Sequence, residues 1–379
     1  MHRRRILIAP DKFKGSLTAM QVCEAVAAGI RQVEPEVDFD FVPMADGGDG
    51  SLLVLAEHLK LTEVEASVEN PLGHLVKCSY YRSEEAAYIE MAAASGLVCL
   101  DKKERNPLRT STFGSGQLIL HALDAGLRKV FLFLGGSATN DGAMGLAQAL
   151  GFQFLGPNGE PLRGAGENLA KVAHIMPPTD DRLNGIEITC LCDVQNPLLG
   201  ENGATAVYGP QKGATPDMIL QLEHGMEHFA KQLERFSGRS ITQLPGGGAA
   251  GGLAAGLVAL CNAKIKSGIE TIQDWVQLES RVQTADLIIS GEGKLDQQTL
   301  EGKVIAGMMT LVRKYKKDAL LVVGKNELPQ NEASVVSEVD VISIMDVAPD
   351  IVSAMTKSRK YLEQIVEAYF ANKKASPEF

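Results

Sequence analysis

Short apolar runs alternate with amphipathic stretches along this chain, and several of the runs break on glycine next to an acidic or amide residue. Arg5 to Ala9 reads as a short buried strand. Thr18 to Val33 has helical spacing, with Ser16 or Thr18 as its cap. "DFDFVPMADGGDG" reads as a second strand ending in a Gly-Asp loop, and Ser51 to Leu59 as a helix, so the opening is βαβα and predicts a parallel sheet covered by helices. From about Glu63 the pattern changes to strands joined by a Pro-Gly turn, an antiparallel or mixed excursion. "KVFLFL" and "IEITCLC" are further strands, Thr215 to Phe236 is a long amphipathic helix with Pro216 in its first turn, and "LPGGGAAGG" leads into a small-residue helix. The tail returns to α/β character: "ADLIIS" runs into a "GEGKLD" loop, a helix follows from Thr299, two more strands come next, and Ser353 to Ala371 closes as one helix. The expected fold is therefore α/β in two domains, a discontinuous one from both termini (1–65 and 285–379) and a second inserted into it (66–284).

Composition narrows the function classes. The formal net charge of −10 disfavours a nucleic-acid partner, which needs a basic face. It leaves phosphate ligands open, because local backbone N–H groups hold those whatever the global charge. The N-terminal apolar run stops at Pro10-Asp11, too short for a signal peptide, and no stretch of about 18 uncharged apolar residues follows, so a soluble, cytoplasmic protein without a membrane partner is expected. Cys190 and Cys192 fall on one strand face, but no second thiolate pair completes a metal site, so they read as core. His224 and His228, on one face of a charged helix, read as surface residues.

Five apolar runs end in polar bends: Pro10-Asp11-Lys12, Asp46 to Asp49, Gly135 to Asp141, Asp193 to Asn196, and Gly291 to Asp296. Open α/β sheets bind ligands beyond the carboxyl ends of their strands, where side chains are held rigidly yet lie outside the core. Gly246-x-Gly248-x-x-Gly251 satisfies a dinucleotide pattern formally, but the preceding "SITQL" is a poor strand. The physics retained is phosphate cradling by Gly246, Gly247 and Gly248, beside the alternative of tight helix packing. Lys14, Lys212, Lys294 and Lys303 lie in Gly-rich stretches and suit phosphate or carboxylate. Asp carboxylates suit Mg²⁺. Cradle, metal, cations and a proton-accepting Asp are the parts of phosphoryl transfer.

The chain resembles glycerate kinases of the bacterial type. The likeness lies in "APDKFKGSL" (9–17), "MADGGDG" (44–50), "RNPLRTSTFGSG" (105–116), "GGSATNDGAMG" (135–145), "CDVQNPLLGENGA" (192–204), "YGPQKGAT" (208–215), "PGGGAAGG" (245–252) and "GEGKLDQQTLEGK" (291–303). The resemblance implies phosphorylation of D-glycerate by ATP with Mg²⁺, and two α/β domains, one Rossmann-like, with a cleft between them. On this reading the catalytic candidates are Asp193, Asp46, Lys14 and Asn140, with Asp193 and Asp296 as metal ligands. Gly135, Gly136, Ser137, Thr139, Lys212, Gly246, Gly247, Gly248, Glu292, Lys294 and Lys303 are the cofactor-binding candidates. Ser137, Thr139 and Asn140 are expected to donate hydrogen bonds to phosphate or to the glycerate carboxylate. The resemblance implies 2-phosphoglycerate in preference to 3-phosphoglycerate as product, while the residue chemistry itself does not choose between the two hydroxyls, and a monomer or homodimer is expected. An NAD(P)-dependent oxidoreductase using "GGGAAG" and a non-enzymatic sugar-acid-binding protein are the rival readings. Two departures stand out: Lys12 where the family commonly has Ser, and "GKNELPQNE" after Val323 where it usually has a small-residue loop.

Overall fold

The computed structural model of the chain describes residues 3–45, 51–300, 304–328 and 336–375. Its strands are β1 (Arg5–Ile8), β2 (Asp38–Phe41), β3 (Thr62–Glu69), β4 (Leu75–Arg82), β5 (Ala86–Glu90), β6 (Lys129–Phe133), β7 (Gln153–Leu155), β8 (His174–Met176), β9 (Glu187–Leu191), β10 (Lys264–Lys266), β11 (Leu287–Leu295), β12 (Ala319–Asn326) and β13 (Asp340–Ser343). The chain divides into two compact units, Met1–Asp46 with Ile269–Phe379, and Gly47–Gly268. These units part earlier at both joins than the composition change near 65 and 285. The helix Ser51–His58 packs on β5, where Leu52 N–H donates to Glu90 Oε1 at 3.0 Å. The helix Leu278–Thr284 packs on β1. Packing partners, not composition, set the joins.

The discontinuous unit holds a five-stranded, all-parallel sheet in the order β2-β1-β11-β12-β13. Numbered within the unit this is 2-1-3-4-5, the flavodoxin-like doubly wound order, with its topological switch point between β1 and β11. Ile6 and Ile8, Leu287 and Ile289, and Leu320 and Val322 share one buried face with residues of the helices Ala19–Val33 and Ser358–Ala375. Leu7, Ile288 and Leu321, buried too, take the opposite face by alternation. Thr18 caps the first helix: its hydroxyl accepts from Gln21 N–H while Gln21 Oε1 accepts from Thr18 N–H.

Two expectations are corrected here. "GEGKL" is not a loop. β11 continues through it because β12 runs alongside to its end, pairing Lys294 with Lys325 and Leu295 with Asn326, and ladder bonds outweigh the poor strand propensity of Gly291 and Gly293. The closing helix is two helices, Ile351–Thr356 and Ser358–Ala375, broken at Lys357; Asp350 starts the first by accepting from Ser353 N–H at 2.8 Å.

The other unit holds a six-stranded mixed sheet, β10-β9-β6-β5-β4-β3, parallel from β10 to β5 and antiparallel beyond. The β3–β4 turn is fixed by Asn70 Oδ1, which accepts from Leu72 and His74 N–H at 3.0 Å each. β7 and β8 pair separately. The helix Pro216–Ser237 buries Leu222, Met226, Phe229 and Leu233 along one stripe, each contributing about 1.5–3 kcal/mol by leaving water. All six cysteines are free, and burial pushes the Cys190 thiol up, as a packing role requires. Among the described residues no helix is long and apolar enough to cross a membrane.

Candidate functional site

In the inserted unit the carboxyl ends of β6 and β9 meet the glycine-rich turn. After β6 the chain passes through Gly135 and Gly136 into Ser137–Asp141, and every residue from Ala138 to Gly142 is pinned. Ala138 N–H donates to Ser95 O at 2.9 Å, and Ala138 O accepts from Thr110 Oγ1 at 2.9 Å. Thr139 O accepts from Lys212 Nζ at 2.7 Å. Asn140 Nδ2 donates to Thr205 Oγ1 at 3.1 Å. Asp141 Oδ2 accepts from Thr112 N–H and Oγ1–H, both at 2.8 Å, and from Gly145 N–H at 3.2 Å. Gly142 N–H donates to Gly251 O at 3.1 Å.

These side chains are deep: Thr139, Asn140 and Asp141 are 0% exposed. Thr139 Oγ1, Asn140 Oδ1 and Asp141 Oδ1 have no hydrogen-bond partner within the chain. Burial raises the Asp141 carboxyl above its ordinary range, against the pull of its Thr112 and Gly145 hydrogen bonds. Ser137 is buried too, leaving Gly136 as the exposed point of the bend.

After β9, Asp193 is half-buried, and its Oδ1 accepts from Ser267 Oγ at 2.7 Å, just beyond the end of the neighbouring β10. The glycine turn sits on this segment. Gly248 N–H donates to Asn196 O at 3.0 Å and Gly247 N–H to Leu244 O at 2.8 Å. Both amides are thus engaged inside the chain, and no strand precedes the turn, so the context of a dinucleotide fingerprint is missing. A Cβ at Gly251 would collide with Thr139 O and stand 2.7 Å from Asn140 Cα. The glycines serve the close approach of three loops.

Lys212, expected to meet an anion, is 1% exposed and spends its ammonium on Thr139 O. Burial pushes it down to about 7, with the Asp141 charge pulling the other way. In the unfolded chain a lysine titrates near 10.5, so between about pH 7 and 10.5 the unfolded state holds a proton that the folded state has released. Stability contributed by this group therefore rises with pH across that window. From pH 7 to 9 the gain should approach about 2–3 kcal/mol, read as a rising Tm that is absent in Lys212→Met. Equal slopes in the two proteins would clear Lys212 of the effect.

In the discontinuous unit the switch point gathers a second set. Asp11 N–H donates to Gly291 O at 2.8 Å, and Gly293 lies against Phe13 and Lys14 N. Asp11 and Glu292 are buried there, while Lys14 is exposed. Lys294 is paired with Asp296 at 3.1 Å and with Glu327 at 2.6 Å, and Lys325 with Glu327 at 2.5 Å. The two lysines hold Glu327 down to about 2. Glu327 and Lys325 belong to the departure after Val323, so that departure acts on Lys294. Asp46 and Lys303 lie outside the described residues. Asp193 and Asp296 fall in different units. Among the described residues no group of three or more His, Cys, Asp or Glu is arranged to hold a metal.

Sequence reading missed Thr112, Thr205 and Ser267, whose hydroxyls orient Asp141, Asn140 and Asp193. Only Thr112 lay in a quoted motif, and none had a distinguishing spacing. Of the surface histidines, His224 is exposed, whereas His228 is half-buried with Nε2 2.7 Å from Val172 O.

The sequence pattern of the glycerate kinase family matches residues 6–372. A glycerate kinase of Halalkalibacterium halodurans is 44% identical over 322 residues, covering 84% of this chain and 85% of that one. A glycerate 2-kinase of Escherichia coli is 40% identical over 323 residues, covering 84% and 85%. A crystal structure of a Salmonella typhimurium LT2 protein assigned as glycerate kinase 2 superposes with a TM-score of 0.85 over 100% of both chains at 36% identity. With its α/β fold, its buried Thr-Asn-Asp segment and relatives of this extent, the chain belongs to the glycerate kinase family and is a kinase.

Proposed function

We propose that this kinase phosphorylates D-glycerate with ATP and Mg²⁺ and releases 2-phosphoglycerate. The observation that carries the reading is the meeting of Asp193, the Thr139–Asp141 segment and the glycine turn at the carboxyl ends of β6 and β9, where open α/β sheets bind ligands. The name of the Escherichia coli relative, a glycerate 2-kinase, supports C2 over C3 as the accepting carbon.

The residues present fit the cofactor. Mg²⁺ keeps several waters and needs only one or two carboxylates, so Asp193 or Asp296 suffices. Within the discontinuous unit, exposed Lys14, and Lys294 once released from its carboxylates, suit the phosphates. MgATP would supply the phosphoryl group. Asp193 is the residue proposed to take the glycerate hydroxyl proton or to hold the metal, and Ser267 keeps its carboxylate in one orientation. Little covalent chemistry falls to the protein in such a transfer, so positioning dominates.

Incubation with D-glycerate, ATP and Mg²⁺, followed by ³¹P–¹H coupling on the product, tests both halves. Coupling of phosphorus to the single C2 proton is the expected result. Coupling to the two C3 protons would reassign the accepting hydroxyl, and untouched ATP would reject the kinase substrate altogether.

A further inference from the structure

The Thr139–Asp141 segment differs from the expected anion site in the direction of its hydrogen bonding. Asn140 has one donor end and one acceptor end. The donor end is spent on Thr205 Oγ1 at 3.1 Å, and Thr205 is itself 0% exposed. The Thr139 carbonyl is spent on Lys212 Nζ at 2.7 Å. What the segment has left inside the chain is oxygen: Thr139 Oγ1, Asn140 Oδ1 and one oxygen of Asp141, all buried and all without a partner. Buried polar atoms are nearly always satisfied, so an unpaired group marks a place where a partner is still to come. One of the three, the amide oxygen of Asn140, is an acceptor only; the Thr139 hydroxyl can turn either way. A buried amide oxygen repels a phosphate or a carboxylate and calls for a donor, which a hydroxyl of the three-carbon acid supplies.

We infer that Thr205 and Lys212 are positioning residues that leave Asn140 and its neighbours as hydrogen-bond acceptors, so that this segment reads a hydroxyl of the three-carbon acid and not its carboxylate or a phosphate. The inference rests on glycerate being the substrate. Thr205 engages the Nδ2 end of the Asn140 amide, and Lys212 holds the backbone from which it projects. The segment sets specificity for a polyhydroxy acid over its deoxy analogues, because an analogue lacking the hydroxyl leaves the buried oxygens unmet.

The test is calorimetric binding of D-glycerate, 3-hydroxypropanoate (no C2 hydroxyl) and D-lactate (no C3 hydroxyl), with thermal unfolding of every variant alongside. Wild type should prefer D-glycerate to at least one analogue by roughly 10–100-fold, the cost of leaving a buried acceptor unpaired. In Thr205→Val the amide is free to turn, and that preference should fall at least fivefold. Thr205→Ser, which keeps the hydroxyl, should restore it. A merely structural Thr205 would lower Tm and weaken all three ligands alike, leaving the ratio unchanged, and that result overturns the inference. Where Thr205→Val does not fold, Lys212→Met carries the same comparison with the same deciding outcome. Wild type that phosphorylates D-glycerate yet binds both analogues equally well sinks the hydroxyl reading alone. Wild type that neither binds nor phosphorylates D-glycerate sinks the substrate assignment instead.

Discussion

Replacing Asp193 with Asn should lower kcat for glycerate phosphorylation by about 10²–10⁴ while leaving the fold intact. The substitution is nearly isosteric, and the Ser267 hydroxyl, 2.7 Å from Oδ1, can donate to an amide oxygen as well as to a carboxylate oxygen. The negative charge is what goes. If Asp193 accepts the substrate proton, raising Mg²⁺ will not rescue the variant, and the loss will sit in kcat. If it holds the metal, the Mg²⁺ concentration giving half-maximal rate will rise, and saturating Mg²⁺ will recover part of the turnover. Ser267→Ala provides the companion measurement. It removes one hydrogen bond from the carboxylate without removing its charge, so a smaller loss of about tenfold is expected, in line with a misplaced group and not a missing one. Turnover within threefold of wild type in Asp193→Asn would remove this residue from the chemistry and turn attention to Asp46 and Asp296.

The parts of this fold carried by local pattern were legible in the sequence. Helical spacing located Ala19–Val33 and Pro216–Ser237, and short apolar runs located β1, β6 and β9. What pattern could not supply was partner choice. "GEGKL" has the glycine content of a loop, and only β12 running alongside it to the end makes it a strand. The helix Ser51–His58 follows β2 in sequence and packs on β5, since burial goes to whichever face is available in space. The same limit governs the site. Strand ends could be read as places for polar chemistry, which singled out Asn140 and Asp193, and a Gly-rich stretch singled out Lys212. The direction of each hydrogen bond could not be read, because Thr205 lies 65 residues from Asn140 and Lys212 lies 73 from Thr139. Glycines posed the converse difficulty. A run such as "GGGAAGG" looks alike whether it approaches a phosphate or another stretch of its own chain.

That ambiguity gives the second large effect, expected at Gly251. Its φ of +68° is left-handed, and a methyl group added there would run into the Thr139 carbonyl oxygen, the atom that Lys212 holds. Backbone strain and overpacking together should cost Gly251→Ala roughly 2–5 kcal/mol, seen as a Tm lowered by about 5–15 °C. Gly238 separates the two contributions. It has nearly the same φ, +69°, at the end of the helix Pro216–Ser237, but nothing lies within 4 Å of the position its Cβ would take. Gly238→Ala therefore carries the strain alone and should lose only about 1–2 kcal/mol. The excess at Gly251 measures the collision with Thr139. Because the carbonyl must move to admit the methyl, Gly251→Ala should also weaken D-glycerate binding, while Gly238→Ala leaves it unchanged. If the two variants lose equal stability, the loops are not packed against each other as described, and the glycine turn is free to serve a ligand after all.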